Sequence, residues 1–291
     1  MGFNMTEIAT LKDTSERFNE FLKSQKRASA TILAYGNDIN QMISFLAGKG
    51  VRAASAVNSP LLEEFKADLE RKGYTAKSIS RKINSLKTFF RFLKAENVIE
   101  NDPAVSVTHP RYEVKPPRIL SKLEYRALRD ACRGDTRVSA IVELMLQTGV
   151  RIGEVANLNL DDNRGNEIYI KPFESHDGRT IPLNKAAKEA LDKYLKERPK
   201  VKEKAIFVTK TGRMFLIRNI RSSIERYFEI AGIKDAKVND LRHTWVFHHL
   251  AAGTPLVTIS KLAGHKRLST TEKYLKLIGE KKEGNIKLEE L

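Results

Sequence analysis

L-A-G-H-K-R-L-S-T-T-E-K-Y, Leu262 to Tyr274, reads as a helix end, a glycine turn and the start of a second helix. Gly264 is the natural turn residue, His265 follows it, and Ser269, Thr270 and Thr271 are the residue types that open helices. Tyr274 then falls inside that second helix. Further back, N-D-L-R-H-T-W, Asn239 to Trp245, sets Arg242 and His243 at another helix start. Further still, T-G-V-R-I-G-E-V-A-N-L, Thr148 to Leu158, ends one helix at Gly149 and begins a short one at Arg151, with Glu154 one turn on to orient the guanidinium. Each residue alone has an ordinary structural reading: an Arg151–Glu154 ion pair, a His265 cap, a half-buried Tyr274. Their joint order and spacing point beyond packing.

Around these segments the second half is mixed. Ser121 caps a predicted helix over Lys122–Cys132, and an apolar helix covers Arg137–Gln147. E-I-Y-I-K (Glu167–Lys171) and R-T-I-P-L (Arg179–Leu183) read as two short strands about a turn with His176, Asp177 and Gly178, a hairpin signal weakened by Pro172 and Pro182. Helices are predicted at Ala186–Arg198, Arg218–Ala231, Leu241–Ala251 and Val257–Leu262.

The first hundred residues read as four helices. Thr14 or Ser15 caps the first, Ala30–Leu46 is the second, and Ser59-Pro60 opens the third. In the fourth, Ile79, Ile83, Leu86, Phe90 and Leu93 make one apolar stripe. Eight basic residues and no acid lie between Arg71 and Lys94. A solvated face usually mixes signs, so this one reads as a phosphate-contacting surface through Lys77, Arg81, Lys82, Lys87 and Arg91. Pro103, Pro110, Pro116 and Pro117 then mark an extended stretch. The predicted organisation is a helical domain over 1–103, a linker over 104–118 and a mostly helical domain with a small β-sheet over 119–291.

Composition bounds the function. The chain has 291 residues, 41% hydrophobic and 30% charged, enough to bury real cores and too few Gly and Pro for a disordered or collagen-like chain. Cys132 is the single cysteine, so no internal disulfide forms, and no apolar run reaches the ~18 residues of a membrane span. A cytoplasmic protein is expected. The net charge of +16 opposes compaction and calls for a polyanionic partner, nucleic acid first. Residues 1–110 carry +4 and 111–291 carry +12, so both halves can contribute to its grip.

Cofactor signals are missing. There is no Gly-rich loop ending in Gly-Lys-Ser/Thr and no G-x-G-x-x-G, so no nucleotide cofactor is expected. His243, His248 and His249 do not share the helical face a zinc site needs, and no acidic cluster offers a magnesium site. Phosphodiester chemistry here would rest on side-chain cations and a protein nucleophile, with no metal.

The three boxes, together with S-I-S-R-K-I-N-S-L-K-T-F-F-R-F-L and N-D-P-A in the first half, resemble the tyrosine recombinase (phage integrase) family. The lack of an extra N-terminal arm-binding region looks closest to its Xer-like members. The resemblance implies a mainly α protein: an N-terminal SAM-like core-binding domain that holds duplex DNA, and a catalytic domain. It implies that Tyr274 attacks a phosphate to form a 3′-phosphotyrosyl bond, that Arg151 and Arg242 clamp its oxygens, and that His265 donates a further hydrogen bond. A hairpin lysine normally protonates the leaving oxygen; Lys171 is the candidate and His176 the alternative. No cofactor, ATP or metal would be needed, and strand exchange implies a homo-tetramer on two duplexes. The C-terminal tail, with Ile286, Leu288 and Leu291, would dock on a neighbouring protomer.

Two positions depart from the family pattern. Asn239 stands where H-x-x-R usually begins, and asparagine takes no proton near neutral pH. The hairpin reads I-K-P-F-E-S-H-D-G-R rather than carrying G-K-G. Chromosome or plasmid dimer resolution leads, with a mobile-element or viral integrase, a catalytically weakened DNA-binding homologue and a type IB topoisomerase left open.

Overall fold

Thr10 sets the first helix boundary. Its hydroxyl accepts a hydrogen bond from the Asp13 N–H at 3.2 Å, and helix α1 runs Leu11–Ser24. Thr14 and Ser15, expected as caps, are instead buried inside it. The start lies one turn earlier because the Leu11 N–H donates to Arg52 O at 2.9 Å, tying the chain down there. The computed structural model describes residues 9–172 and 176–282. The tail residues Ile286, Leu288 and Leu291 lie outside that range.

The chain divides between Val114 and Lys115 into two units. In the first, α1 is followed by α2 (Ser29–Ala47), α3 (Ser59–Arg71, with Asn58 as cap and Pro60 in its first turn) and α4 (Ala76–Ala95, capped by Thr75). Their apolar faces meet around Phe18, whose ring packs edge-on to Phe89 at 5.3 Å and tilted on Phe92 at 5.6 Å. Such pairs add about 0.5–1.5 kcal/mol beyond the area they bury.

Helix α4 buries the stripe Ile79, Ile83, Leu86, Phe90 and Leu93 and leaves Lys77, Arg81, Asn84 and Arg91 exposed. Lys82 departs from the expected phosphate-facing position. It is buried, and its Nζ donates to Asp38 Oδ1 at 2.9 Å and Gln41 Oε1 at 2.7 Å. Three residues after Ile79 and four before Leu86, it lies on the stripe side of the helix. Asp38, 2% exposed on α2, needs compensating charge, and Lys82, Arg81 and Ser85 all bond to it. Lys87 is half-buried and reaches Val105 O at 3.4 Å.

The stretch expected to begin a linker at 104 starts as part of this unit. Ala104 and Val107 are buried in its core, and Lys66 and Ser80 reach Thr108 and His109. The prolines extend the backbone but do not stop small apolar residues from packing.

The second unit is built around α6 (Thr136–Thr148), which Asp135 caps and which packs against α8 (Lys185–Glu197) and α10 (Val238–Ala251). A capping box between Ser121 and Glu124 opens α5 (Lys122–Cys132), and α7 (Ile152–Ala156) follows α6. Strands β1 (Glu167–Ile170) and β2 (Arg179–Pro182) pair antiparallel, Ile168 opposite Ile181, with Ile168, Ile170 and Ile181 in the core. Pro182 is tolerated because it ends its strand. Then come α9 (Ile217–Ile230), α11 (Leu256–Ala263) and α12 (Ser269–Lys282), the last two packing on α10. No described helix is long and apolar enough to cross a membrane.

Candidate active site

Glu154 is the hub of the site. Its carboxylate is 2% exposed and takes the Arg151 backbone N–H and the Arg151 Nη1, each at 2.8 Å. From β2, Arg179 grips the same two oxygens with Nη1 and Nη2, both at 2.8 Å. Burial alone would raise the Glu154 pKa. The bonds and charge of Arg179, then those of Arg151, overcome it and hold the pKa near about 2.

Both arginines also reach the turn after α11. Arg151 Nη2 donates to Gly264 O and Arg179 Nε to Leu262 O, each at 2.6 Å. Gly264 has φ +65°, which favours glycine, and a Cβ there would meet Arg179 Nη1 at 2.8 Å and push the guanidinium from its place. The hairpin, the turn before α7 and the turn before α12 are thereby locked together.

Arg242 lies one turn into α10 and is 5% exposed. Its Nη1 donates to Gly149 O, while its Nη2 is buried with no hydrogen-bond partner among the described residues. Gly149 is left-handed with φ +65°, and a Cβ would lie 2.2 Å from Trp245 Cε3, so this close approach also needs glycine. Burial, then the charge of Arg151, pulls the Arg242 pKa from 12.5 to about 9. An anionic oxygen is the acceptor that would satisfy such a guanidinium arm most strongly.

His265 follows Gly264, its Nδ1 2.7 Å from Thr271 Oγ1. Burial, then Arg242 and Arg151, lowers its pKa to about 3, so it is neutral at pH 7. Tyr274 on α12 is 4% exposed; burial raises its pKa and the charge of Arg242 opposes the rise. Arg151, Arg242, His265 and Tyr274, from separate segments, thus share one electrostatic neighbourhood.

The other expected residues stand differently. Lys171, just past β1, is half exposed and paired with Asp162 Oδ1 at 3.1 Å. His176 is half-buried, its pKa lowered by burial and then by Arg151, so it sits within the field of the arginine cluster. Asn239 is exposed beside a surface cavity. Two contacts escaped the sequence reading. Arg179 shares a strand face with buried Ile181, a period-two signal that was there to read. The sequence sets His243 at a helix start beside Arg242 and assigns it no role, yet its Nδ1 lies 2.6 Å from the Tyr274 hydroxyl. Among the described residues no group of His, Cys, Asp and Glu is arranged to hold a metal ion.

The model of the Phage integrase family matches residues 118–280, and that of the Phage integrase N-terminal SAM-like domain matches residues 15–97. The chain belongs to the phage integrase family. It is 30% identical to the tyrosine recombinase XerC of Thermodesulfovibrio yellowstonii, over 88% of this chain and 89% of that one. It is 28% identical to the tyrosine recombinase XerD of Listeria monocytogenes serotype 4b, over 91% and 94%. Its fold is similar to that of a lambda integrase tetramer bound to a Holliday junction, with TM-score 0.75, 19% identity and 91% and 80% of the two chains covered. The SAM-like match falls on α1 to α4, and the phage integrase match spans every residue of the arginine–histidine–tyrosine cluster.

Proposed function

We propose that this phage integrase family chain is a site-specific DNA strand transferase working through a 3′-phosphotyrosyl intermediate. The carrying observation is the buried Nη2 of Arg242, unpartnered among the described residues, in the same neighbourhood as Arg151, His265 and Tyr274. In this reading the scissile phosphate completes the Arg242 fork, and Arg151 and neutral His265 bind its remaining oxygens. Donors fixed before the reaction stabilise the charge that develops on phosphorus, typically worth about 10²–10³-fold each. Tyr274 forms the new bond as the 5′-oxygen leaves. The phosphodiester energy stays in the phosphotyrosine, so rejoining needs neither ATP nor metal. Lys171 is the proposed acid for the leaving oxygen, released from Asp162 when DNA arrives. His176 is the second reading, favoured by its place in the field of Arg151.

Lys77 and Arg91 on the exposed face of α4 would contact phosphates, while Lys82 would serve the fold. Removing Lys77 or Arg91 should reduce the slope of log binding constant against log salt by about 0.9 each. Lys82→Met should leave that slope unchanged and lower the urea midpoint, because it strips Asp38 of a partner. Binding titrations across salt and urea melts separate the two. The working assembly would be a tetramer on two duplexes, the state named for the lambda integrase neighbour, and Xer-type dimer resolution is the leading role.

The test is covalent capture. The chain is incubated with nicked duplexes prepared from a genomic library, and DNA that survives denaturation on the protein is sequenced. One recovered site, lost entirely in Tyr274→Phe, is the expected result. Binding without adduct on any duplex would make it a DNA-binding relative without catalysis.

A further inference from the structure

The family box that normally begins with histidine begins here with Asn239, which is exposed and holds no proton to exchange near neutral pH. The nucleophile has a different neighbour. His243, immediately after Arg242 on α10, sets its Nδ1 2.6 Å from the Tyr274 hydroxyl, with ring centroids 5.9 Å apart. His243 also lines a surface cavity of about 360 Å³ with Asn239, Asp240, Lys237, Arg221 and Glu225, which offers a taken-up proton an outlet. We infer that His243 is the proton acceptor for Tyr274, replacing the function that Asn239 lacks; this rests on the strand-transfer reading above.

The step balances. As the Tyr274 oxygen bonds to phosphorus, its proton passes to His243 Nδ1. The bond from phosphorus to the 5′-oxygen breaks, and that oxygen takes a proton from the hairpin acid. The geometry suits a base: the acceptor is already within transfer distance, and Arg242 nearby favours the phenolate that develops. The charged and titratable groups around His243 are Asp240 and Arg242 on its own helix, Lys237 before it, Arg221 and Glu225 on α9, His265 in the turn before α12 and Tyr274 on α12. Burial lowers the His243 pKa, Asp240 opposes and Arg242 adds to the fall, so the ring is neutral and able to accept at pH 7.

The test compares His243→Ala, His243→Gln and Asn239→Ala in single-turnover adduct formation on the captured nicked duplex, with Tyr274→Phe as the blank. His243→Ala and His243→Gln should cut the rate by about 10²–10⁴-fold. Gln preserves size and can still accept a hydrogen bond, so its failure cannot come from lost packing. The acidic fall of the pH–rate profile, lying below the ordinary histidine range because burial lowers the His243 pKa, should be present in the wild type and Asn239→Ala and absent in both His243 variants. A DNA-free arm follows the Tyr274 ring carbon by NMR, assigned with Tyr274→Phe, and it should shift in His243→Ala. Cleavage at or above the wild-type rate in the His243 variants, a retained acidic limb, or an unmoved Tyr274 resonance overturns the assignment. A wild type that forms no adduct although the resonance does move defeats the strand-transfer reading itself, leaving a structural contact.

Discussion

Replacing Arg242 with methionine should lower covalent adduct formation by about 10²–10³-fold while leaving the fold at least as stable. The first half follows from the fork: under the proposed reaction the scissile phosphate would take the buried Nη2 of Arg242, which has no partner among the described residues. The second half follows from what that readiness costs. Arg242 is 5% exposed, feels the charges of Arg151 and Arg179 against that of Glu154, and among the described residues its guanidinium bonds only the Gly149 carbonyl. Its pKa falls to about 9 because the folded surroundings oppose its charge. A base depressed in this way weakens the folded state throughout the pH range below about 9, and the penalty is relieved only as pH rises from there toward 12.5. Methionine removes the charge and fills similar volume. Thermal melting at pH 7 together with single-turnover cleavage checks both halves. A markedly lower Tm would mean that Arg242 holds the fold, and cleavage within about tenfold of wild type would remove it from the chemistry. Readiness for a ligand and stability are opposed at this residue.

Glu154→Gln should do the reverse and damage the fold as well as the reaction. The carboxylate pairs with two guanidinium groups that also stitch the hairpin and the α7 turn to the turn before α12. Its pKa drops from 4.5 to about 2. That stabilisation is fully present above pH 4.5 and is lost as pH falls through about 2. The shift corresponds to about 3 kcal/mol, and a neutral amide that cannot take both forks should forfeit most of it. Urea unfolding at pH 7 should show the loss, and between pH 4.5 and 2 the wild type should lose stability more steeply than the variant. Adduct formation should fall too, because Arg151 loses the partner that orients it. An unchanged urea midpoint would mean that Arg151 and Arg179 find other acceptors, and that the clamp is held by the Gly264 and Leu262 carbonyls alone.

Much of this architecture was legible locally. The stripe on α4, the Ser121 capping box, the left-handed Gly149 and Gly264 and the hairpin pairing all depend on neighbours a few residues apart, where spacing reports directly on side-chain direction. Arg151, Arg242, His265 and Tyr274 came from motif order, and their convergence is visible only in three dimensions. The run of like charges on α4 suggests a single face, but helical spacing turns Lys82 toward the stripe, and its partner Asp38 is 44 positions away. Arg179 and His243 were missed for a related reason. Their partners, Glu154 and Tyr274, lie 25 and 31 positions off along the chain.

Residue order alone determined that the chain is basic, mainly helical and divided in two, and that it carries a tyrosine, two arginines and a histidine in three motifs at or within helices. Those properties follow from composition and from periodicities of two and 3.6 residues, which need no knowledge of what packs against what. Tertiary structure decided which cations are neutralised inside the protein, that Arg242 keeps a donor unused beside the phenol, and which imidazole meets that phenol. Burial and long-range pairing set those outcomes, because the strength of a charge or a hydrogen bond depends on the water excluded around it.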